Sequence, residues 1–206
     1  MIPVLMADDE TLIRTAMATM LDLEDDLDVV EHVGSGEALV DLWRRRHEAG
    51  EPVAVAVLDL QMPGIDGIET AAELLAVTPE AGILVVTSHG RPGYLKRALS
   101  AGVRGFLPKT TSAAALADVI RTVHAGGRYV DPALAAEAIS TGDSVLTARE
   151  ADVLELALDG SSVDEIARRA HLAAGTTRNY LSSAMAKLGV ANRYEAALLA
   201  RDRGWI

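Results

Sequence analysis

Three acidic residues, a threonine and a lysine each follow a short apolar run. Asp8 and Asp9 come after Ile2–Ala7, Asp59 after Val53–Leu58, Thr87 closes Ile83–Thr87, and Lys109 lies beyond Gly105–Leu107. If those runs are neighbouring strands of one parallel sheet, all five side chains emerge at its carboxyl edge, where open α/β sheets place their chemistry. Three carboxylates forced together repel one another, so the cluster needs a divalent cation and the lysine to neutralise it, and an all-oxygen ligand set points to magnesium. A carboxylate beside such an ion can attack a phosphoryl group and form an acyl phosphate. On this reading Asp8 and Asp9 hold the metal, Asp59 is both ligand and nucleophile, and the Gln61 carbonyl adds a further ligand. Lys109 then pairs with the phosphoryl group, and Thr87 bonds one of its oxygens. Helix capping explains an aspartate at one strand end; it does not explain five members at matching positions.

The elements that must position these residues follow from periodicity. Runs at 2–7, 29–33, 53–58, 83–87 and 105–107 are bounded by Asp, Gly and Pro. They alternate with stretches near 11–22, 36–47, 67–77, 92–101 and 112–125 whose apolar residues recur every three to four positions. Five strand-then-helix repeats define a doubly wound parallel sheet, and Val53–Leu58 is continuously apolar, as a central strand buried on both faces should be. Gly34-Ser35-Gly36 has the start of a dinucleotide fingerprint, but Leu39 stands where its third glycine belongs, so the segment reads as a turn. His32, His47, His89, His124 and His171 show no metal-ligand pairing.

Gly126-Gly127 ends the fifth helical stretch, and Pro132–Ile139 reads as a short linker helix. Beyond it no strand pattern remains. Thr147-x-x-Glu150 and Ser162-x-x-Glu165 are capping boxes, each opening a helix, and further helices are expected over 174–188 and 192–203. In the third of these four helices Thr177, Leu181, Met185 and Leu188 form an apolar stripe that should face the bundle, leaving Arg178, Asn179, Ser182 and Ser183 on the other side. Arg suits guanine and Asn suits adenine in a major groove. Thr176, Lys187 and Arg193 would then contact phosphates. Ala173 stands where a capping serine is usual, at a cost of about 1 kcal/mol, and Gly175 weakens the first turn further.

Charge divides the same way. The net charge of −11 is concentrated early, residues 1–130 holding 19 acids against 11 bases, whereas residues 172–206 hold five bases against two acids. The anionic front repels DNA while the carboxy-terminal part can approach it. At 206 residues, half of them apolar, the chain suits one ordinary domain and a smaller one. It lacks cysteine, hence disulfides and thiolate metal sites, and Asp8, Asp9 and Glu10 are incompatible with a secretory signal. No apolar run reaches membrane-spanning length, and a cytoplasmic protein is expected.

Ala7-Asp8-Asp9-Glu10, Leu58 to Gly67, Val86-Thr87-Ser88 and Gly105-Phe106-Leu107-Pro108-Lys109 together resemble the receiver domain of bacterial two-component response regulators. Leu146 to Glu150, Ser162 to Ala167, Thr176 to Leu181, Lys187 to Val190 and Asn192-Arg193, with the Gly204-Trp205-Ile206 ending, resemble the helix-turn-helix of the LuxR/NarL type. The resemblance implies a flavodoxin-like, five-stranded receiver at 1–125, a linker at 126–144 and an all-α four-helix DNA-binding domain at 145–206. It further implies a NarL/FixJ-type transcriptional regulator that is not an enzyme. On that resemblance a sensor histidine kinase is expected to phosphorylate Asp59 with Mg2+ bound, Thr87 to move towards the phosphate, and Phe106 to be the switch aromatic. The phosphorylated protein then dimerises and binds double-stranded DNA. Phe106 in place of the commoner tyrosine, and Pro108 before the lysine, depart from the pattern. Dimerisation is expected through the helices at 11–22 and 112–125, with Ala115 and Val119 forming an apolar strip. The alternative is a pseudo-receiver regulator that works without phosphorylation; a phosphatase is disfavoured because Gln61 supplies no second carboxylate.

Overall fold

The computed structural model describes residues 1–88, 92–140, 144–203 and 205–206. Apart from the first residues of the fourth helix, the chain up to Leu134 forms one compact unit and Ala135–Ile206 forms another.

In the first unit β1 (Ile2–Ala7), α1 (Thr11–Leu21), β2 (Leu27–Val33), α2 (Gly36–Glu48), β3 (Val55–Asp59), α3 (Gly67–Val77), β4 (Gly82–Thr87), α4 (Pro92–Ser100), β5 (Gly105–Pro108), α5 (Ala113–His124) and β6 (Tyr129–Val130) follow in order. The strands form one sheet in the order β2-β1-β3-β4-β5-β6, and every pairing is parallel. The chain reverses its direction of travel between β1 and β3, which opens a crevice at their carboxyl ends. Every residue of β3 and β4 is buried. One sheet face carries Val4, Met6, Val57, Val86 and Leu107 against Ala18 and Leu21 of α1 and Leu116, Ile120 and Val123 of α5. On α2, the buried Trp43 donates its indole N–H to Thr78 Oγ at 3.1 Å, at the carboxyl end of α3.

Three features differ from the sequence expectation. A sixth strand, Tyr129–Val130, pairs with β5 inside the segment read as linker. Asp66 and Glu69 form a capping box on α3 that spacing alone did not flag. Val119 does not belong to a surface strip: it is only 4% exposed and packs into the core with Leu116, Ile120 and Val123, so that the buried stripe of α5 is wider than one row. Ala115 is exposed as expected. The unpartnered apolar surface lies instead on α1, where Leu12 is 83% and Met20 50% exposed, with Leu23 just beyond at 80%.

The linker helix α6 (Pro132–Ser140) leads to α7 (Ala148–Glu155), α8 (Val163–Arg169), α9 (Ala174–Leu188) and α10 (Arg193–Asp202). Both expected capping boxes are present, at Thr147/Glu150 and Ser162/Glu165. Val153, Leu154, Ile166, Leu181, Ala184, Ala196, Ala197 and Ala200 form the core of this unit, with Trp205 and Ile206 packed against it. In the turn between α8 and α9, His171 has φ 54, the one non-glycine residue with positive φ among those described. No helix among the described residues is long and apolar enough to cross a membrane.

Candidate functional site

Parallel register brings the acidic strand ends together. Ala7 pairs with Leu58, and Asp59 with Val86, so Asp8 and Asp59 leave neighbouring strands at one level, beside Thr87 opposite Pro108. Asp8, Asp59 and Thr87 are all buried. Lys109 follows β5; its backbone N–H donates to the Thr87 carbonyl at 2.8 Å, which aims the side chain back over the sheet edge. There Nζ lies 2.8 Å from Asp8 Oδ2, 3.0 Å from Asp59 Oδ2 and 2.9 Å from Glu10 Oε1. The Gln61 N–H reaches Asp59 Oδ1 at 3.4 Å, and the Glu10 N–H donates to Asp8 Oδ1 at 2.8 Å. Gly67 backs Asp59 so closely that a Cβ there would stand 2.1 Å from the Asp59 carbonyl oxygen.

These surroundings set the charge. Burial pushes the Asp59 carboxyl up to about 6, with Asp8 adding to the rise and Lys109 opposing it. Burial works against the Lys109 ammonium, yet Asp8, Glu10 and Asp59 outweigh it and hold that group well above its ordinary value.

Oxygens of Asp8, Glu10 and Asp59 lie within 4.8 Å of one another. Asp8 Oδ2 is buried and, although close to Lys109 Nζ, accepts no aligned hydrogen bond. A hard, oxygen-only set of this kind could hold a divalent metal ion. Asp9, expected among the ligands, lies outside this group and Glu10 lies inside it, both residues being exposed. The Asp-Asp-Glu sequence offers three carboxylates in a row, and the turn into α1 decides which of them come within reach of Asp59. Phe106 is fully buried on β5. Among the histidines, His32, His47, His124 and His171 are exposed and His89 lies outside the described residues.

In the second unit, α9 buries Thr177, Leu181 and Ala184 and exposes Thr176, Arg178, Asn179, Ser182 and Ser183. Arg193, half-buried, opens α10 behind the Asn192 cap. Ala173 gives α9 no side-chain cap. Lys187, expected among the phosphate contacts, is exposed, and its Nζ lies 2.7 Å from Glu150 Oε2. Glu150, buried on α7, also accepts from Ser183 Oγ at 2.6 Å and from the Thr147 N–H at 2.6 Å. Burial raises the cost of its charge, but Lys187, Ser183 and Thr147 more than offset this and lower its pKa. Glu150 reads in the sequence only as a capping residue; no local signal shows that it reaches a lysine 37 positions away.

A buried, lysine-bridged acidic pocket at the switch point of a parallel sheet, on a chain that also carries a helix-turn-helix, is the build of a two-component response regulator. Residues 4–121 match the response regulator receiver domain family, and residues 144–200 match the bacterial regulatory proteins of the luxR family. The chain is 38% identical to the transcriptional regulatory protein DesR of Bacillus subtilis, over 100% of this chain and 99% of DesR. It is also 38% identical to the transcriptional regulatory protein UhpA of Escherichia coli, over the whole of both. Among solved structures, the two-component response regulator RcsB in complex with DNA has a TM-score of 0.60 at 25% identity, covering 98% of each chain. ChrA, the response regulator of a heme-sensing two-component system, has a TM-score of 0.57 at 28% identity, over 100% of this chain and 98% of ChrA. The chain belongs to the NarL/FixJ family of response regulators, which are transcriptional regulators and not enzymes.

Proposed function

We propose that Asp59 accepts a phosphoryl group from a sensor histidine kinase in the cytoplasm and that the phosphorylated protein dimerises and binds operator DNA. The contact of Lys109 with both Asp8 and Asp59 carries this reading, because it sets a cation where phosphoryl oxygens must come to rest. An Asp59 carboxylate oxygen attacks phosphorus; the new P–O bond forms as the P–N bond of the donor phosphohistidine breaks, and the imidazole nitrogen keeps the electron pair. Lys109 stabilises the charge on the transferring oxygens, and the Thr87 hydroxyl donates to one of them. Asp8, Glu10 and Asp59, with the Gln61 carbonyl, would hold Mg2+, which supplies charge neutralisation when bound.

At the output end, Arg178 and Asn179 read base edges, and Thr176, Ser182 and Arg193 position the helix on phosphates. That RcsB, a relative in fold, has been solved in complex with DNA supports DNA as the partner of this kind of chain. Dimerisation uses α1, where Leu12, Ala16 and Met20 recur on one exposed face.

The test pairs labelling with binding. Wild type and Asp59→Asn are incubated with acetyl phosphate and Mg2+, their masses are measured, and their affinity for a duplex selected by the wild type from a random pool is compared. The wild type is expected to gain one phosphoryl group and to bind more tightly as a result, and Asp59→Asn to do neither. Equal labelling of the two proteins refutes the assignment.

A further inference from the structure

We propose that Asp131 is a positioning residue that carries the state of the Asp59 pocket into the linker helix α6. This inference rests on the phosphoacceptor reading above.

The observation is a strap of two residues. β6 adds to the outer edge of β5 with Gly105 opposite Tyr129 and Phe106 opposite Val130. The Tyr129 N–H donates to the Arg104 carbonyl at 2.9 Å, and the Asp131 N–H donates to the Phe106 carbonyl at 3.0 Å. Asp131 then turns its carboxylate onto α6, where Oδ1 accepts from the N–H groups of Ala133 at 3.0 Å and Leu134 at 3.1 Å. One residue is therefore bonded through its backbone to the strand carrying Phe106 and through its side chain to the first turn of the linker helix.

The path back to the pocket is as short. Three residues beyond Phe106, just past the end of β5, comes Lys109, fixed by its own N–H to Thr87 and by Nζ to Asp59. Few soft dihedrals lie on this path, because Pro108 sits before Lys109 and Pro132 after Asp131, and proline fixes φ. Phe106 is fully buried, so β5 cannot slide without its ring finding a second packed position, and packed interiors offer discrete alternatives in place of gradual ones.

A phosphoryl group on Asp59 brings two or more new anionic oxygens to a lysine now shared among three carboxylates. Lys109 re-aims, the end of β5 follows, and the Phe106 carbonyl moves with it. The Asp131 N–H tracks that carbonyl, which changes the direction in which its carboxylate caps α6. The coupling is reciprocal: a change in the cap alters the preferred position of β5 by the same free energy.

The rival account is that β6 only covers an edge and Asp131 only stabilises a helix end. The ratio of operator affinities between the phosphorylated and unphosphorylated full-length protein separates the two. Acetyl phosphate with Mg2+ is the donor, and a duplex selected by the wild type from a random pool is the probe. Asp131→Ala keeps the ladder N–H and loses the cap; compared on protein whose mass shows Asp59 fully labelled, it is expected to lower the ratio about fivefold, the equivalent of one N-cap. Asp131→Asn, which caps equally well, restores the ratio, and Asp131→Pro, which removes donor and cap together, abolishes it. An unchanged ratio in Asp131→Ala, or an equal loss of affinity in both states, overturns the proposal. A wild-type ratio of one refutes the phosphorylation reading itself, and the strap falls with it.

Discussion

Gly67 and Glu150 show how single side chains, or their absence, hold the two sites in shape. A methyl group at Gly67 would meet the Asp59 carbonyl at 2.1 Å, and that partner is backbone that cannot swing aside. Gly67→Ala is therefore expected to cost about 1–3 kcal/mol and to slow Asp59 labelling, read by thermal unfolding and by mass. Glu150 ties Thr147, Ser183 and Lys187 together, and its pKa lies below the ordinary 4.5. A carboxylate whose folded value is depressed contributes stability that is present above the unfolded value and is lost as pH falls through the folded one. Guanidinium unfolding of Glu150→Gln, followed through Trp205 in a Trp43→Phe background, should show a loss at pH 7 that shrinks once pH passes below 4.5. Because the Lys187 side chain is 36% exposed, the loss at pH 7 is discounted to about 1–2 kcal/mol. The same pairing predicts that Lys187→Ala changes the salt dependence of DNA binding less than Arg178→Ala changes base preference. Asp8, Asp59 and Lys109 were legible in the sequence because strand ends in a parallel sheet share one edge. Glu10 and the Glu150–Lys187 pair were not, since both depend on how a turn or a distant helix orients a long side chain.

At the scale of elements, α9 is held unevenly. Its far end is braced by Lys187 on Glu150 and closed by Gly189 at φ 70, while its start, the part proposed to face DNA, has Ala173 and no side-chain cap. Ala173→Ser should add about 1 kcal/mol of local stability, seen as slower amide exchange in the first turn of α9. His171, at φ 54 in the preceding turn, pays a side-chain penalty that glycine would not. The four carboxy-terminal helices could be read from the sequence because each begins or ends with capping chemistry. β6 could not: two residues after Gly126-Gly127 are too few for any alternation to register. Nor could the share of α5 that is buried, because a helix with Leu116, Val119, Ile120 and Val123 has an apolar arc wide enough for two readings, and only the neighbouring sheet decides between them.

Across the whole molecule, the acidic excess of residues 1–130 and the basic excess of residues 172–206 divide the work: the first part disfavours DNA and the second approaches it. The proposed dimerisation would join the two roles, and its test belongs on α1. Leu12→Arg with Met20→Arg should keep the phosphorylated protein monomeric in sedimentation without loss of labelling, whereas Val119→Arg should unfold the receiver by placing a charge in its core. The sheet that carries all this has two edges, and neither accepts another strand well. β2 is interrupted where its pairing with β1 skips a residue between Val4 and Leu5, and it presents Asp28 and Glu31. β6 is two residues long and runs straight into Pro132. Bulges, charges and proline at exposed edges are the means by which sheets resist fibre growth. Copies of this chain brought together by the proposed helix pairing would thus be kept from sticking irreversibly through their strands.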